Sequence, residues 1–192
     1  VVFLDTAVQR AQADQVQTDN AGGGRLLARH FLECGHRHVA FISQDATRGD
    51  LMDRARGFLG EFRKRGLGES AERLHGFSKA RHNLLAVINQ LLSADHRITG
   101  IAFDSDHVAR QGIQILRRLR KRVPLDISVA GFGNVPSHDG LLKITSIEQH
   151  PLTLGHLAVA TLIERLEGRL KGPVQRICPV ELVKGDSVAV LR

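Results

Sequence analysis

Polar and aromatic side chains follow several short apolar runs of the sequence, at the points where predicted strands end. Arg54 lies in the first turns of a predicted helix near the same edge. Ligands of open α/β sheets bind in the crevice beyond the carboxyl ends of the strands. Carboxylates, a guanidinium, an aromatic ring and small hydroxyl or amide groups together suit a polyhydroxylated or anionic small molecule. The candidate binding residues are Asp5, Arg54, Phe77, Ser105, Asp106, Gly133 and Asn134.

Several of these candidates also have a purely structural interpretation. Asp106 is well placed to cap a helix, which is a common role of aspartate at such a position. Asp5 can form a turn, and Phe77 can belong to the core. Arg54 can be a solvated helix residue. The residue types alone leave these alternatives open.

Motifs for catalysis, cofactors and metals are missing from the sequence. Gly22-Gly23-Gly24 lacks the pattern of a phosphate-binding loop, and Gly131-Phe132-Gly133 lacks the third glycine of a dinucleotide fingerprint. His36 and His38 have no third partner at zinc spacing, and the two cysteines form no metal-binding pair. We therefore expect no enzymatic activity, no cofactor and no bound metal.

Short apolar strands alternate with longer amphipathic helices along the chain. The predicted strands are Val1–Leu4, Val39–Ile42, Arg73–Phe77, Ile98–Phe103, Ile127–Phe132, Ile144–Ile147 and Ile177–Val183. The predicted helices begin near Asn20, Leu51, Leu84, Asp106 and Pro151, with Asn20 and Asp106 as caps. Strands joined by helical crossovers pair in parallel, and apolar residues at nearly every strand position indicate helices on both faces. The predicted fold class is α/β, with doubly wound parallel sheets.

The composition and the number of predicted strands bear on the partners, the location and the number of lobes of the protein. The formal net charge of +7 is compatible with anionic partners, and no apolar run reaches the length of a bilayer span. Without an export signal in the sequence, we expect a cytoplasmic protein with no membrane contact. Residues 36–145 supply a nearly complete sheet, whereas the flanking residues supply too few strands to cover two long helices. We therefore expect a second, incomplete lobe, with residues missing upstream of Val1.

A series of motifs, taken together and in order, resembles the lactose/galactose-repressor (LacI/GalR) family of bacterial transcription regulators. The motifs that carry the resemblance are Asp19–Gly23, Gly35–Ile42, Arg54–Phe58, Thr99–Asp106, Val123–Phe132, Ile144–Gln149 and Pro179–Val183. The resemblance implies a periplasmic-binding-protein-like effector domain with two α/β lobes and a small-molecule effector, a sugar or sugar acid, in the cleft. It also implies a homodimer that binds operator DNA through an N-terminal helix-turn-helix headpiece, which this sequence lacks.

The resemblance also assigns parts of the chain. Residues 1–35 would form part of the N-terminal lobe plus a crossover, residues 36–145 the C-terminal lobe, and residues 146–192 a return to the N-terminal lobe. Asp5, Arg54, Phe77 and Ser105 fall where the family contacts its effector.

One position departs from the family pattern and bears on the effector. Family members that bind neutral sugars commonly have an aspartate where this chain has Gly133. The loss of that carboxylate suggests an anionic effector, a sugar acid or sugar phosphate, clamped by Arg54 with help from Arg48. The alternatives are a periplasmic-type solute-binding protein for transport and, more distantly, a small α/β enzyme.

Overall fold

A computed structural model describes residues 1–6, 12–45, 47–68, 74–76, 83–136 and 142–191. The strands are β1 (Val2–Leu4), β2 (Asp14–Thr18), β3 (Val39–Ser43), β4 (Leu74–Gly76), β5 (Gly100–Phe103), β6 (Ser128–Ala130), β7 (Ser146–Glu148), β8 (Gln175–Cys178) and β9 (Glu181–Val183). The helices are α1 (Asn20–Glu33), α2 (Gly49–Arg63), α3 (Leu84–Ala94), α4 (Asp106–Arg118) and α5 (Pro151–Leu166).

The larger sheet has the strand order β4-β3-β5-β6, with all pairs parallel. Strands β3, β5 and β6 are buried at every residue because helices cover both faces. On one face, α3 and α4 bury Ile88 and Leu116 against Ile101. On the other face, α1 and α2 bury Phe31 and Phe58. The doubly wound pattern expected from the sequence is therefore present in this sheet.

The smaller sheet has the order β1-β2-β8, again parallel, with α5 against one face. Its core is small and consists mainly of Val16, Leu154 and Cys178. Helix α5 also leaves an apolar stripe in solvent, including Leu152 and Leu166. None of the described helices is long and apolar enough to cross a membrane.

Helix α1 packs with the larger sheet, contrary to the predicted division of the chain at residue 35. It lies directly against α2, and the contact is close because both helices carry glycine there. A Cβ atom on Gly24 would overlap the backbone oxygen of Arg54, and one on Gly57 would overlap that of Ala21. The boundary between the two sheets therefore falls near residue 19.

The end of the chain also returns to the larger sheet, so assigning all of residues 146–192 to the first lobe was wrong. Strands β7 and β9 form an antiparallel ribbon, and Ile147 and Leu182 join the core beneath α1. The backbone amide of Val129 donates to the carbonyl of Ser187, and that of Leu191 donates to Cys34. Among the described residues of this segment, α5 and β8 pack on the smaller sheet.

Candidate functional site

Asp5 ends the first strand and faces the end of the second. Its backbone has a positive φ of 49°, which turns the chain away from the sheet directly after β1. One carboxylate oxygen accepts a hydrogen bond from the amide of Thr18 at 3.2 Å. The predicted turn role and a ligand role are therefore compatible, because a carboxylate offers further acceptor positions.

Arg54 is a buried cation held from several sides. Its Nε donates to Oδ1 of Asn20 at 2.8 Å, and Nη1 donates to the backbone oxygen of Asp104 at 2.7 Å. The guanidinium carbon lies 4.0 Å from the centroid of the Phe132 ring, a cation–π arrangement. Burial lowers the pKa of Arg54, and the nearby carboxylates of Asp50, Asp5 and Asp104 oppose that shift. The alternative of a solvated helix residue is wrong.

A cavity of about 190 Å³ opens where the two sheets meet. The smaller sheet contributes Asp5, Gln17, Thr18, Gln175 and Ile177 to its walls, and the α1 and α2 side contributes Asp19, Asn20, Ala21, Asp50 and Asp53. The predicted site residue Asp5 is therefore in a hollow that is bounded by both sheets. Arg54 lies behind the same wall, since Asn20 both lines the cavity and accepts its hydrogen bond.

Ser105, and not Asp106, caps helix α4. Ser105 is the N-cap of α4, and its Oγ accepts from the amide of Val108 at 3.4 Å. Asp106 is the first helical residue, and its carboxylate accepts from the hydroxyl of Ser146 and the amide of Val135, each at 2.7 Å. Burial raises the pKa of Asp106. The prediction that Asp106 caps the helix was wrong, and its carboxylate instead fixes the loop after β6.

Gly133 and Asn134 both have positive φ, 120° and 48°. The Asn134 side chain donates to Glu148 at 2.8 Å. A Cβ atom on Gly133 would have room, with Val135 and Gln149 atoms at ordinary contact distances. The backbone conformation, however, is one that L residues rarely adopt. The backbone conformation at Gly133 therefore disfavours the aspartate that the family pattern has at this position.

The structure describes some of the remaining predicted residues and leaves others outside the described ranges. Phe77 lies outside the described residues, so its role stays a prediction. Arg48 was predicted to help Arg54 bind an acidic effector. Two of its side-chain nitrogens instead donate to Asp50, at 3.1 and 2.6 Å. Among the described residues, no group of three or more metal-ligating side chains is close enough to hold a metal ion.

Sequence reasoning did not select three residues that organise this region. Asn20 was assigned only as a cap, but the N-cap of α1 is Asp19, and Asn20 instead binds Arg54. Asp104 directly follows β5 and is not among the seven candidate binding residues. Gln149 donates from Nε2 to Thr18 Oγ1 at 3.3 Å and so joins the two sheets beside the cavity. Their polar character was the available signal, but their partners are distant in sequence.

A family model for the periplasmic binding protein-like domain matches residues 28–188. The chain belongs to this family. Among curated relatives, the repressor PurR of Yersinia pestis is 29% identical over 191 residues, which cover 98% of this chain and 56% of the relative. The regulator CelR of Thermobifida fusca is 27% identical over 185 residues, 94% of this chain and 53% of the relative. The chain thus spans about half the length of these relatives.

Solved structures agree on the fold. A LacI-family regulator from Enterococcus faecium with bound ribose has a TM-score of 0.85 and 24% identity, covering 100% of this chain and 71% of that one. A CelR–cellobiose complex has a TM-score of 0.82 and 22% identity, covering 97% and 57%. The predicted periplasmic-binding-protein-like fold and the resemblance to LacI/GalR regulators are confirmed. These relatives are named as regulators, so neither the transport alternative nor the enzyme alternative is favoured.

Proposed function

We propose that this chain is the effector-binding core of a LacI/GalR-type transcriptional regulator, and that its effector is a small polyhydroxylated molecule. The observation that best supports this proposal is the buried guanidinium of Arg54. Asn20 and Asp104 hold it beside a cavity that Asp5 lines. A fixed cation near a carboxylate can orient one ligand through both its donors and its acceptors. Asp5 and Arg54 belong to different sheets, so one ligand could contact both lobes.

The arrangement of hydrogen-bond donors favours a neutral or aminated ligand over an acid. Among the described residues, Arg48 donates to Asp50, and Gln149 donates to Thr18. Those donors are therefore already used within the protein. The carboxylates that line the cavity are Asp5, Asp19, Asp50 and Asp53. Each also accepts a hydrogen bond within the protein, but an ionised carboxylate has further acceptor positions. Carboxylates only accept hydrogen bonds when ionised, so a matching ligand must supply the donors. We therefore revise the expectation of a sugar acid or sugar phosphate in favour of an uncharged polyol or an amino sugar.

Of the predicted residues, Asp5 and Arg54 are the proposed ligand contacts, together with Phe77. Ser105, Asp106, Gly133 and Asn134 would shape the cleft from the side of the larger sheet. The proposed lobes are residues 1–18 with 151–178, and residues 19–148 with 181–191.

The regulatory part of the proposal draws on the relatives. PurR and CelR are named as transcriptional regulators, and a lac repressor dimer bound to operator has a TM-score of 0.81 at 20% identity, covering 98% of this chain and 65% of that one. By analogy, a headpiece outside this sequence would bind operator DNA, the protein would form homodimers, and it would act in the cytoplasm. Ligand binding would shift the arrangement of the lobes and so change DNA affinity, which is a coupling between two sites.

Isothermal titration calorimetry tests the ligand class. We expect D-ribose, cellobiose or glucosamine to bind about tenfold or more tightly than D-gluconate and ribose 5-phosphate, because each desolvated like-charge contact costs over a kilocalorie per mole. Tighter binding of either acid would overturn the assignment of ligand class.

Substitution of arginine tests the position of the site. Arg54→Lys keeps the charge but loses the forked donors, so affinity should fall at least about tenfold. Arg118→Lys, at an exposed position of α4 that does not line the cavity, serves as the control and should leave affinity within about twofold. Equal affinities of the two variants would reject the site.

A further inference from the structure

Asp104 follows β5 directly and is completely buried, with an exposed fraction of 0%. Asp104 is not among the residues that line the cavity. Burial raises the pKa of Asp104, and hydrogen bonds to its oxygens oppose that rise. A buried carboxylate is costly unless donors surround it, so its contacts indicate what it is there to hold.

The contacts of Asp104 reach the connection between β3 and α2. Oδ2 accepts from the hydroxyl of Ser43 at 3.0 Å and from the amide of Gln44 at 2.6 Å. Ser43 Oγ lies 3.4 Å from the amide of Asp45, the next residue but one. One carboxylate oxygen therefore fixes the first residues of the connection that leads to α2 and Arg54.

The same residue also reaches α4 and Arg54. Its Oδ1 accepts from the hydroxyl of Ser105, the N-cap of α4, at 3.2 Å. Its backbone oxygen accepts from Nη1 of Arg54 at 2.7 Å. The Arg54 guanidinium is also near enough to stabilise the ionised carboxylate. Asp104 thus joins the β3–α2 connection, the start of α4 and the buried cation.

We propose that Asp104 is a positioning residue that holds the β3–α2 connection and Arg54 in the arrangement needed for ligand binding before a ligand arrives. The effect on ligand binding rests on the proposed function, whereas the effect on the connection does not. A carboxylate suits this place because three donors, two hydroxyls and one amide, converge on its two oxygens. Asparagine has the same shape but would place an N–H group opposite one of these donors.

Hydrogen exchange at the Gln44 amide tests the positioning role without a ligand. Loss of a charged acceptor should raise the exchange rate of this amide in Asp104→Asn by about tenfold or more. The amides of β5, such as that of Ala102, should change by less than about twofold, because their strand pairing is intact. A uniform rise across the larger sheet would mean loss of stability alone and would overturn the proposal.

Asp95→Asn is a matched control. Asp95 is also a buried carboxylate, with an exposed fraction of 6%, but it lies after α3 and pairs with Arg97. This variant should leave the exchange of the Gln44 amide unchanged. If Asp104→Asn does not fold, Ser43→Ala removes one contact of the carboxylate and should raise Gln44 exchange by a few fold. Unchanged Gln44 exchange in Ser43→Ala would then overturn the proposal.

Calorimetry with D-ribose, cellobiose and glucosamine gives the second readout. The Kd of a sugar that binds the unmodified chain should rise about tenfold in Asp104→Asn and less than twofold in Asp95→Asn. An unchanged Kd in Asp104→Asn would refute the role in ligand binding. Failure of the unmodified chain to bind any of the three sugars counts against the proposed function, and the exchange experiment then decides the role of Asp104.

Discussion

His36 should make the protein lose stability as the pH falls from 7 to 5. The ring is completely buried, and its Nε2 lies 3.0 Å from the backbone oxygen of Ala189 while Nδ1 lies 2.9 Å from Thr99 Oγ1. Burial lowers the pKa of His36 from 6.5 to about 4. The unfolded chain therefore binds a proton below pH 6.5 that the folded chain takes up only near pH 4.

The size of the effect follows from the two pKa values. At pH 7 both states are mostly neutral at this residue, so the contribution is near zero. At pH 5 the unfolded histidine is protonated and the folded one is not, which lowers the free energy of unfolding by about 1–2 kcal/mol. The loss continues down to about pH 4, where the folded ring also becomes protonated.

Urea denaturation at pH 7 and pH 5 measures this contribution. Other groups also titrate in this range, so the comparison is with His36→Gln, which cannot take up a proton. The variant will be less stable at both pH values, but it should lose about 1–2 kcal/mol less than the unmodified chain between them. If both proteins lose the same amount, the histidine is not held neutral by the fold, and the reasoning from its burial is wrong.

Other predictions concern the two sheets separately. Arg165 holds the pKa of Asp14 at about 2, so Asp14→Asn should cost about 1 kcal/mol at pH 7 in urea denaturation. Because the folded pKa is below the usual 3.8, that difference should disappear as the pH falls towards 2. Gly57→Ala should cost about 1–3 kcal/mol, since the new methyl group meets the backbone of Ala21. Gly60→Ala in the same helix meets nothing within 4 Å and should instead stabilise by up to about 1 kcal/mol; equal effects would contradict the packing argument.

The larger sheet was predictable because its strands are marked by continuous apolar runs. In the smaller sheet the same reasoning missed β2, whose sequence Asp-Gln-Val-Gln-Thr contains a single apolar residue. Its buried positions are Asp14, Val16 and Thr18. Asp14 can be buried because Arg165 reaches it with two nitrogens from a position 151 residues later. No local pattern contains that partner.

The predicted last strand shows a related limit. Its apolar run continues through Pro179, but the structure divides it into β8 and β9, which belong to different sheets. Proline cannot donate to a strand ladder, so it marks the point where the chain leaves one sheet. The proline was visible in the sequence, but the destination of the following residues was not, because it depends on pairing with β7.

At the site, residue type pointed to the carboxyl ends of the strands but gave no information on the partners of each side chain. Asp5 and Arg54 were both expected near one cavity; Asp5 lines it, and Arg54 lies behind its wall, where it donates to the lining residue Asn20. The expected acid clamp has Arg48 paired with Asp50, a carboxylate two positions away, which residue type alone did not indicate. A ligand can use only the hydrogen-bonding positions that the protein has not already paired. Identifying those positions requires the three-dimensional structure.

The crossings between the sheets indicate where a change in lobe arrangement would occur. The described chain passes between them near Asp19, near His150 and near Pro179, and these segments lie side by side. The amide of Asp19 donates to the carbonyl of Cys178 at 2.9 Å, and His150 has a positive φ of 51° just before Pro151. A rotation of one sheet relative to the other must be absorbed by backbone angles at these crossings, because the packed sheets resist deformation. Under the proposed function, a ligand that contacts Asp5 on one side and Arg54 on the other would bias that rotation.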